Sequence, residues 1–211
     1  MTIADAVVYI VDDDELIRDS LKILVKSVGI QAETYSSAQL FLDAKLPDRP
    51  GCLVLDIRMP GMGGLDLQNE LQKMGASIPI IVITGHGTVP MSVRAMKAGA
   101  VDFLQKPFED QELLDSIQHA IKEHSHIRIE QSNVNNIRKR VQNLTSREHE
   151  IFVLVVTGML NKQIACDLKL SENTVKTHRA RLMRKMKVES LAELVRASEK
   201  VGMSPPSSKN V

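Results

Sequence analysis

The sequence predicts an α/β domain with a five-stranded parallel sheet, joined by a helical linker to an all-α domain. Five β-rich runs alternate with helical patterns in residues 5–124, as in a parallel sheet covered on both faces. Residues 139–203 contain helical patterns alone. The charge also changes sign: residues 1–124 carry 11 basic and 18 acidic side chains (net −7), and residues 125–211 carry 16 and 8 (net +8). Two domains with different partners are therefore expected, the second with a polyanion.

The strands and helices of the first domain follow from the hydrophobic pattern. Strands are predicted over 7–11, 31–35, 52–55, 78–83 and 101–104. A helical segment follows each strand. The first helix ends at Gly29, the next three cover 38–44, 65–74 and 89–98, and the fifth begins at Glu109.

The chemically distinctive residues of this domain stand at the carboxyl ends of its strands. In chain order they are Asp12, Asp13, Asp56, Thr84 and Lys106. Ligands of open α/β sheets bind at this edge, near the point where the strand order reverses. A single aspartate after a strand is most often a helix cap or a loop acid. Five such residues after four separate strands instead favour a shared site.

Phosphoryl transfer to a carboxylate is the chemistry that suits these residue types. Converging carboxylates repel one another, and a hard divalent cation with oxygen ligands, Mg²⁺ or Mn²⁺, relieves that repulsion. Asp56 is the candidate nucleophile toward a phosphoryl donor. Lys106 and the metal ion would neutralise the transferred phosphoryl oxygens, and the Thr84 hydroxyl would hydrogen-bond the new phosphate.

Residues 5–124 resemble the receiver domain of response regulators. Besides the five residues above, the matching features are Pro107 after the lysine, the turn MPGMGG at 59–64, and Phe103 at the position of the switch aromatic. The resemblance implies that a sensor histidine kinase phosphorylates Asp56.

The same resemblance implies a ligand set and a switch. The implied metal ligands are the side chains of Asp13 and Asp56 and the backbone carbonyl of Arg58, with Asp12 acting through water. Phosphorylation would draw in Thr84, and Phe103 would repack into the space that Thr84 leaves. The resulting change of surface would promote dimerisation.

Residues 125–143 are predicted to form a helical linker, because the helical pattern continues beyond the fifth helix of the sheet domain. Apolar residues then follow at the spacing of coiled-coil a and d positions, namely Val134, Ile137, Val141 and Leu144. Two interpretations stay open: a helix that only connects the domains, and a parallel dimer along this stripe. Three histidines, His119, His124 and His126, are expected on a solvated helix face.

The second domain is predicted to contain a helix–turn–helix. Helices are predicted over 151–157, 161–168 and 172–186, and a fourth ends at Val201; capping patterns precede them at 145–148, 171 and 190–193. Segment 171–187 holds six Lys or Arg and one acidic residue, whereas Val175, Leu182 and Met186 form an apolar stripe. A short helix, a turn and a basic helix is the arrangement that places a recognition helix in the DNA major groove.

Residues 139–203 resemble the LuxR/NarL-type output domain. The matching motifs are LTSRE at 144–148, NKQIA at 161–165 and TVKTHR at 174–179. The two domains together resemble the FixJ/NarL family, and KPFE at 106–109 favours its FixJ branch. The DNA-contacting residues expected are Thr174, Lys176 and Thr177, of which the last two match base-reading positions, and Arg179, Arg181, Arg184 and Lys185 as phosphate contacts. Ala180 departs from the family, many of whose members have a basic residue there.

The expected function is that of a phosphorylation-controlled, DNA-binding transcription regulator and not of an enzyme. Activation is the commoner outcome in the family, so an activator is expected. The expected partners are a sensor histidine kinase, double-stranded promoter DNA, a second copy of the chain after phosphorylation, and RNA polymerase. A phosphohydrolase of the haloacid-dehalogenase type is disfavoured because residues 12–16 lack the threonine that follows its acid pair. An RNA-binding regulator is disfavoured because only 3% of the residues are aromatic.

No apolar run approaches the ~20 residues of a membrane span, and the N-terminus lacks a signal-peptide pattern. A cytoplasmic protein without a membrane partner is therefore expected. Residues 204–211, rich in Pro and Ser, are predicted to form a disordered tail.

Overall fold

The computed structural model describes residues 5–85 and 87–203. The chain divides into two compact units, of which the first extends to Arg128 and the second begins at Ile129. The predicted tail, 204–211, lies outside the described residues. In the described part of the chain, no helix has the length and apolar character of a membrane span.

The first unit is built on one parallel sheet. Its strands are β1 (Val7–Val11), β2 (Gln31–Tyr35), β3 (Gly51–Asp56), β4 (Ile80–Thr84) and β5 (Asp102–Gln105). They lie in the order β2-β1-β3-β4-β5, so the strand order reverses between β1 and β3. The predicted five-stranded parallel sheet is confirmed. β4 begins two residues later than the sequence predicts, because Pro79 has no backbone N–H to donate to the ladder.

Five helices follow the strands in turn. They are α1 (Glu15–Ser27), α2 (Ala38–Asp43), α3 (Gly64–Lys73), α4 (Val89–Lys97) and α5 (Asp110–Gln142). α1 begins where the Asp14 side chain accepts hydrogen bonds from the backbone N–H groups of Leu16 and Ile17. The predicted linker, 125–143, is helical through Gln142 as the last part of α5.

The sheet separates two cores because alternate residues of each strand point to opposite faces. On one face, Val8 and Ile10 of β1 pack with apolar residues of α1 and α5. On the other face, Val7, Tyr9 and Val11 pack with α2, α3 and α4. Burial on both faces explains why β1, β3 and β4 have almost no polar residues before their last position.

His124 corrects the expectation that the three histidines lie on a solvated helix face. His119 and His126 are exposed, but His124 is buried, and its Nδ1 lies 2.8 Å from the carbonyl oxygen of Gly51. The backbone N–H of Gly51 lies 3.1 Å from the same ring nitrogen. Burial lowers the pKa of His124, as does the nearby charge of Arg128. The ring therefore joins α5 to the first residue of β3.

The second unit is a cluster of short helices that follow the end of α5. They are α6 (Ser146–Val156), α7 (Asn161–Asp167), α8 (Glu172–Met186) and α9 (Leu191–Lys200). α6 begins five residues earlier than predicted, because the capping box of Thr145 and Glu148 makes the polar first turn helical. Its core includes Phe152 of α6, Leu182 of α8 and Leu194 of α9.

Three of the four residues of the predicted apolar stripe are partly buried against this core. Ile137, Val141 and Leu144 pack against the buried residues of the second unit. Contacts within the chain cover part of these three side chains, whereas a coiled-coil seam needs such side chains to face a partner helix. The structure thus favours the interpretation of 125–143 as a connecting helix over the interpretation as a dimer seam.

Candidate functional site

Asp12, Asp56 and Lys106 meet at the carboxyl edge of the sheet, where the strand order reverses. Asp12 follows β1 and Asp56 ends β3, and both carboxylates are almost completely buried. The Lys106 Nζ atom lies 2.7 Å from Asp12 Oδ2 and 2.9 Å from Asp56 Oδ1. One ammonium group therefore pairs with two buried carboxylates. With both carboxylates ionised, the three side chains carry a net charge of −1.

The remaining oxygens of these carboxylates accept backbone hydrogen bonds. The N–H of Arg58 donates to Asp56 Oδ2 at 2.6 Å, and the N–H of Asp14 donates to Asp12 Oδ1 at 2.9 Å. Such donors fix the orientation of each carboxyl group. They also place the backbone of Arg58 beside the Asp56 carboxylate.

Burial and the contacts with Lys106 have opposing effects on the pKa of Asp56, and burial and the contacts with the two carboxylates have opposing effects on the pKa of Lys106. Burial raises the pKa of Asp56, hydrogen bonding and charge from Lys106 lower it, and the charge of Asp12 raises it, so that the net pKa lies above its usual value. Burial alone would lower the pKa of Lys106, but its hydrogen bonds to Asp12 and Asp56 outweigh burial and raise that pKa. Lys106 thus stays charged between the carboxylates.

Asp13 does not join this group. It is exposed, and among residues 5–85 and 87–203 no three His, Cys, Asp or Glu side chains are grouped to hold a metal ion. Two of the three predicted carboxylates are therefore brought together. Two carboxylates, a backbone carbonyl and water molecules are nevertheless hard oxygen donors of the kind that Mg²⁺ takes.

Thr84 and Phe103 lie on the neighbouring strands of the same sheet. Thr84 ends β4 and is fully buried, and its partner in the ladder is Gln105 of β5. Phe103 is half-buried in β5 and packs against the core between the sheet and α2 to α4. Gly87 lies against its ring, since a Cβ at Gly87 would be 3.2 Å from Phe103 Cε1.

Gly64 lets α3 start directly behind the Asp56 backbone. A Cβ atom at Gly64 would lie 2.2 Å from the carbonyl oxygen of Asp56, a distance that no side chain can occupy. Gly64→Ala is therefore expected to destabilise the first unit by about 1–3 kcal/mol, the usual cost of overpacking. Urea unfolding followed by circular dichroism measures the change.

Gly85→Ala is the matched control for this substitution, because a Cβ there meets no atom within 4 Å. Equal stability of the Gly64→Ala variant and the wild type would contradict the close approach of α3 to β3.

The basic face of the second unit lies on α8. Arg181 and Arg184 are exposed, and neither makes a hydrogen bond or ion pair within the described residues. Lys176 is also exposed and forms an ion pair of 3.3 Å with Glu172 one turn earlier. Such an exposed pair contributes little and can be exchanged for another anion.

Three predicted contact residues already have a role inside the unit. Thr174 lies at the helix start, where its Oγ1 is 2.7 Å from Ser171 Oγ, and Thr177 Oγ1 donates to the backbone oxygen of Asn173. Arg179 Nη1 donates to Asn161 Oδ1 at 2.9 Å, which joins α8 to the start of α7.

Lys185 is held differently from the other predicted contacts. Its Nζ atom lies 2.5 Å from Glu148 Oε2, and the Glu148 side chain is only 4% exposed. The same Nζ donates to the backbone oxygen of Asn143 at 3.3 Å. The basic pattern of α8 could not reveal this, because the carboxylate comes from α6.

The Glu148–Lys185 pair makes the stability of the second unit depend on pH in the acidic range. The hydrogen bond from Lys185 lowers the pKa of Glu148 to about 2, and backbone donation from Thr145 adds to the shift. Because the pKa of this carboxyl is lower in the folded state, its stabilisation is complete above the unfolded pKa of about 4.3 and is lost as the pH falls toward 2. Glu148→Gln should destabilise the unit at pH 7, and the difference from wild type should shrink at pH 3.

Urea unfolding of both proteins at pH 7 and pH 3 measures this difference. Glu150→Gln is the control, because Glu150 makes an exposed ion pair with Arg147. A Glu148→Gln destabilisation of the same size at both pH values would refute the proposed acid dependence.

Comparison with known proteins gives a consistent result for both units. Residues 8–118 match the family profile of the response regulator receiver domain, and residues 142–198 match that of bacterial regulatory proteins of the luxR family. Nodulation protein W of Bradyrhizobium diazoefficiens is 49% identical over 199 residues, covering 94% of this chain and 88% of that protein. Transcriptional regulatory protein FixJ of Rhizobium meliloti is 46% identical over 202 residues, covering 95% and 98%.

Solved structures agree with these relatives. The response regulator StyR superimposes with a TM-score of 0.85 at 45% identity, covering 93% of this chain and 99% of that one. Full-length FixJ from B. japonicum gives a TM-score of 0.57 at 40% identity, covering 96% and 99%.

Proposed function

Because the chain belongs to the FixJ-like response regulators, which join a receiver domain to a LuxR-type DNA-binding domain, we propose that phosphorylation of Asp56 controls its binding to promoter DNA. The protein is a DNA-binding transcription regulator and not an enzyme. The observation that carries the proposal is the Lys106 ammonium held between the buried carboxylates of Asp12 and Asp56.

The phosphoryl transfer follows from the position of Asp56. A carboxylate oxygen of Asp56 would attack the phosphorus of a phosphohistidine on the sensor kinase. The new O–P bond forms as the P–N bond breaks, and the imidazole leaves. Lys106, already 2.9 Å from Asp56 Oδ1, would neutralise charge on the transferred group.

Receiver domains as a class bind Mg²⁺ for phosphorylation. In this chain Asp12, Asp13, Asp56 and the backbone carbonyl of Arg58 would hold Mg²⁺ or Mn²⁺, with Asp12 acting through water. The convergence of the buried Asp12 and Asp56 carboxylates beside the Arg58 backbone supports three of these ligands, and the exposed Asp13, which directly follows Asp12, would complete the set. The ion would supply further positive charge to the phosphoryl oxygens.

The switch would pass through β4 and β5. The Thr84 hydroxyl would hydrogen-bond the phosphate on Asp56, and Phe103 would repack toward the space that Thr84 leaves. The adjacency of the strands supports this, because Val82 and Thr84 of β4 pair with Phe103 and Gln105 of β5. The altered surface would then favour a homodimer.

The dimer would present two copies of α8 to half-sites about one DNA turn apart. Lys176 and Thr177, together with Thr174 at the start of the helix, would face the bases, and Arg179, Arg181 and Arg184 would contact phosphates. Exposure of Arg181 and Arg184 supports their part in this surface. A sensor histidine kinase would supply the phosphoryl group. Contact with RNA polymerase would make the protein an activator. All of these steps would take place in the cytoplasm.

Genome-wide DNA capture with and without acetyl phosphate tests the proposed function. Enrichment of a discrete set of promoter fragments only after phosphorylation is the expected result. An identical set with identical occupancy in both samples would count against control by Asp56, and an absence of enriched fragments would count against DNA binding.

A further inference from the structure

The sequence pattern places Lys185 on the basic face of α8, but its side chain contacts residues within the second unit. Its ammonium lies 2.5 Å from Oε2 of Glu148, a side chain that is 4% exposed, whereas the Lys185 side chain is 36% exposed. The second oxygen acceptor within reach is the backbone carbonyl of Asn143, just after α5. Lys185 thus links α8 to α6 and to the residue that follows α5.

Glu148 is also held from the other side. Its Oε2 atom accepts the backbone N–H of Thr145 at 2.8 Å, and its own backbone N–H donates to the Thr145 hydroxyl. A buried carboxylate that loses its charged partner pays a large desolvation cost. Because a move of Lys185 toward a DNA phosphate would leave Glu148 in that situation, the ammonium is expected to stay where it is.

The end of α8 has a second contact with α5. Arg140 Nη1 donates to the backbone oxygen of Met186 at 3.0 Å. The last carbonyls of a helix have no partner inside it, and a cation there also interacts favourably with the helix dipole. Lys187 then ends α8 in the left-handed conformation, with φ 55°. Two side-chain contacts therefore join the last turn of α8 to the last turn of α5 and to the residue after it.

We propose that Lys185 is a positioning residue, which with Glu148 and the end of α5 fixes the orientation of α8 and makes no contact with DNA phosphate. The proposal rests on the function proposed above. It departs from the expectation from sequence that Lys185 is a phosphate contact. The adjacent Arg184 is exposed and makes no ion pair within the described residues, so it remains a predicted phosphate contact.

Salt dependence separates a positioning residue from a phosphate contact. Each phosphate contact contributes about 0.9 to the slope of log K against log salt concentration. We therefore measure binding of the phosphorylated full-length chain to a captured promoter fragment across a range of KCl concentrations. Lys185→Met should weaken binding by about tenfold, the effect of losing one charge-assisted hydrogen bond, and should keep the wild-type slope. Arg184→Gln should lower the slope by about 0.9.

The Glu148→Gln variant gives a second test because the two roles predict opposite signs. If Glu148 holds Lys185 in place, Glu148→Gln weakens binding, and the Glu148→Gln/Lys185→Met double variant is no weaker than either single variant. If Lys185 contacts phosphate, removal of the competing carboxylate strengthens binding. Lys185→Arg can still donate to Glu148 and should restore most of the affinity.

A slope that falls by about 0.9 in Lys185→Met, as in Arg184→Gln, would overturn the positioning role. So would Glu148→Gln binding that equals or exceeds that of the wild type. Should Glu148→Gln fail to fold in a thermal unfolding experiment, the Lys185→Met and Lys185→Arg pair decides the question alone. Absence of salt-dependent DNA binding by the wild type would instead refute the proposed function.

Discussion

Asp56→Asn is expected to lose phosphorylation by acetyl phosphate, with incorporation falling below about one hundredth of wild type because an amide does not act as the nucleophile. The replacement has nearly the same shape, and its Oδ1 can still accept a hydrogen bond from Lys106, which donates to Asp56 Oδ1 at 2.9 Å. The first unit should therefore remain folded. Intact mass spectrometry in the presence of Mg²⁺ measures the phosphorylated fraction.

The same variant should lose the rise in dimerisation and DNA binding that phosphorylation produces in the wild type. Asp43→Asn is the matched control, since Asp43 is an exposed carboxylate on α2. Phosphorylation of Asp56→Asn at the wild-type level would show that another residue is the phosphoacceptor. Stimulation of DNA binding by acetyl phosphate in that variant would show that Asp56 does not control DNA binding.

The Arg181→Gln/Arg184→Gln double variant is expected to weaken DNA binding strongly without unfolding the second unit. Both guanidinium groups are exposed on α8, whereas the helix packs through the buried residues Val175, Leu182 and Met186. With two phosphate contacts removed, the slope of log K against log salt concentration should fall by about 1.8. A fluorescence anisotropy titration with a captured promoter fragment measures affinity and slope together.

Arg196→Gln on α9 removes an exposed arginine outside α8 and serves as the control. Its slope should equal that of the wild type. An unchanged slope in the double variant would mean that DNA lies against another surface of the second unit.

The site in the first unit could be predicted because its chemistry depends on residue type and position at a strand end. Any parallel sheet brings these ends to one edge, so Asp12, Asp56 and Lys106 were expected at that edge once the strands were assigned. The exposure of Asp13 beside the buried Asp12 was not predictable in this way. Successive residues leave a strand in different directions, and the pattern does not say which of two adjacent carboxylates turns inward.

Contacts between residues far apart in the chain were beyond the reach of the sequence pattern. His124 fits a polar run at the end of a helical stripe, yet its partner is Gly51, which is 73 positions earlier. Lys185 fits a basic helix face, yet its partner Glu148 belongs to another helix. In both cases periodicity describes only the residue's own helix, whereas burial depends on the element that packs against it.

The helix starts show where local signals were sufficient. The capping residues Thr145, Ser171 and Ser190 are N-caps in the structure, as their sequence contexts indicated. A cap is a contact between residues two or three positions apart, so the sequence contains both partners. The error at the start of α6 arose because the apolar periodicity begins at Ile151, six residues after the cap.

The affinity of the full-length chain for a captured promoter fragment, measured in Mg²⁺ before and after treatment with acetyl phosphate, tests the central claim most directly. If phosphorylation of Asp56 controls DNA binding, affinity rises on treatment in the wild type and does not change in Asp56→Asn. Equal affinity of the phosphorylated and unphosphorylated wild-type chain, with phosphorylation verified by mass, would contradict the account.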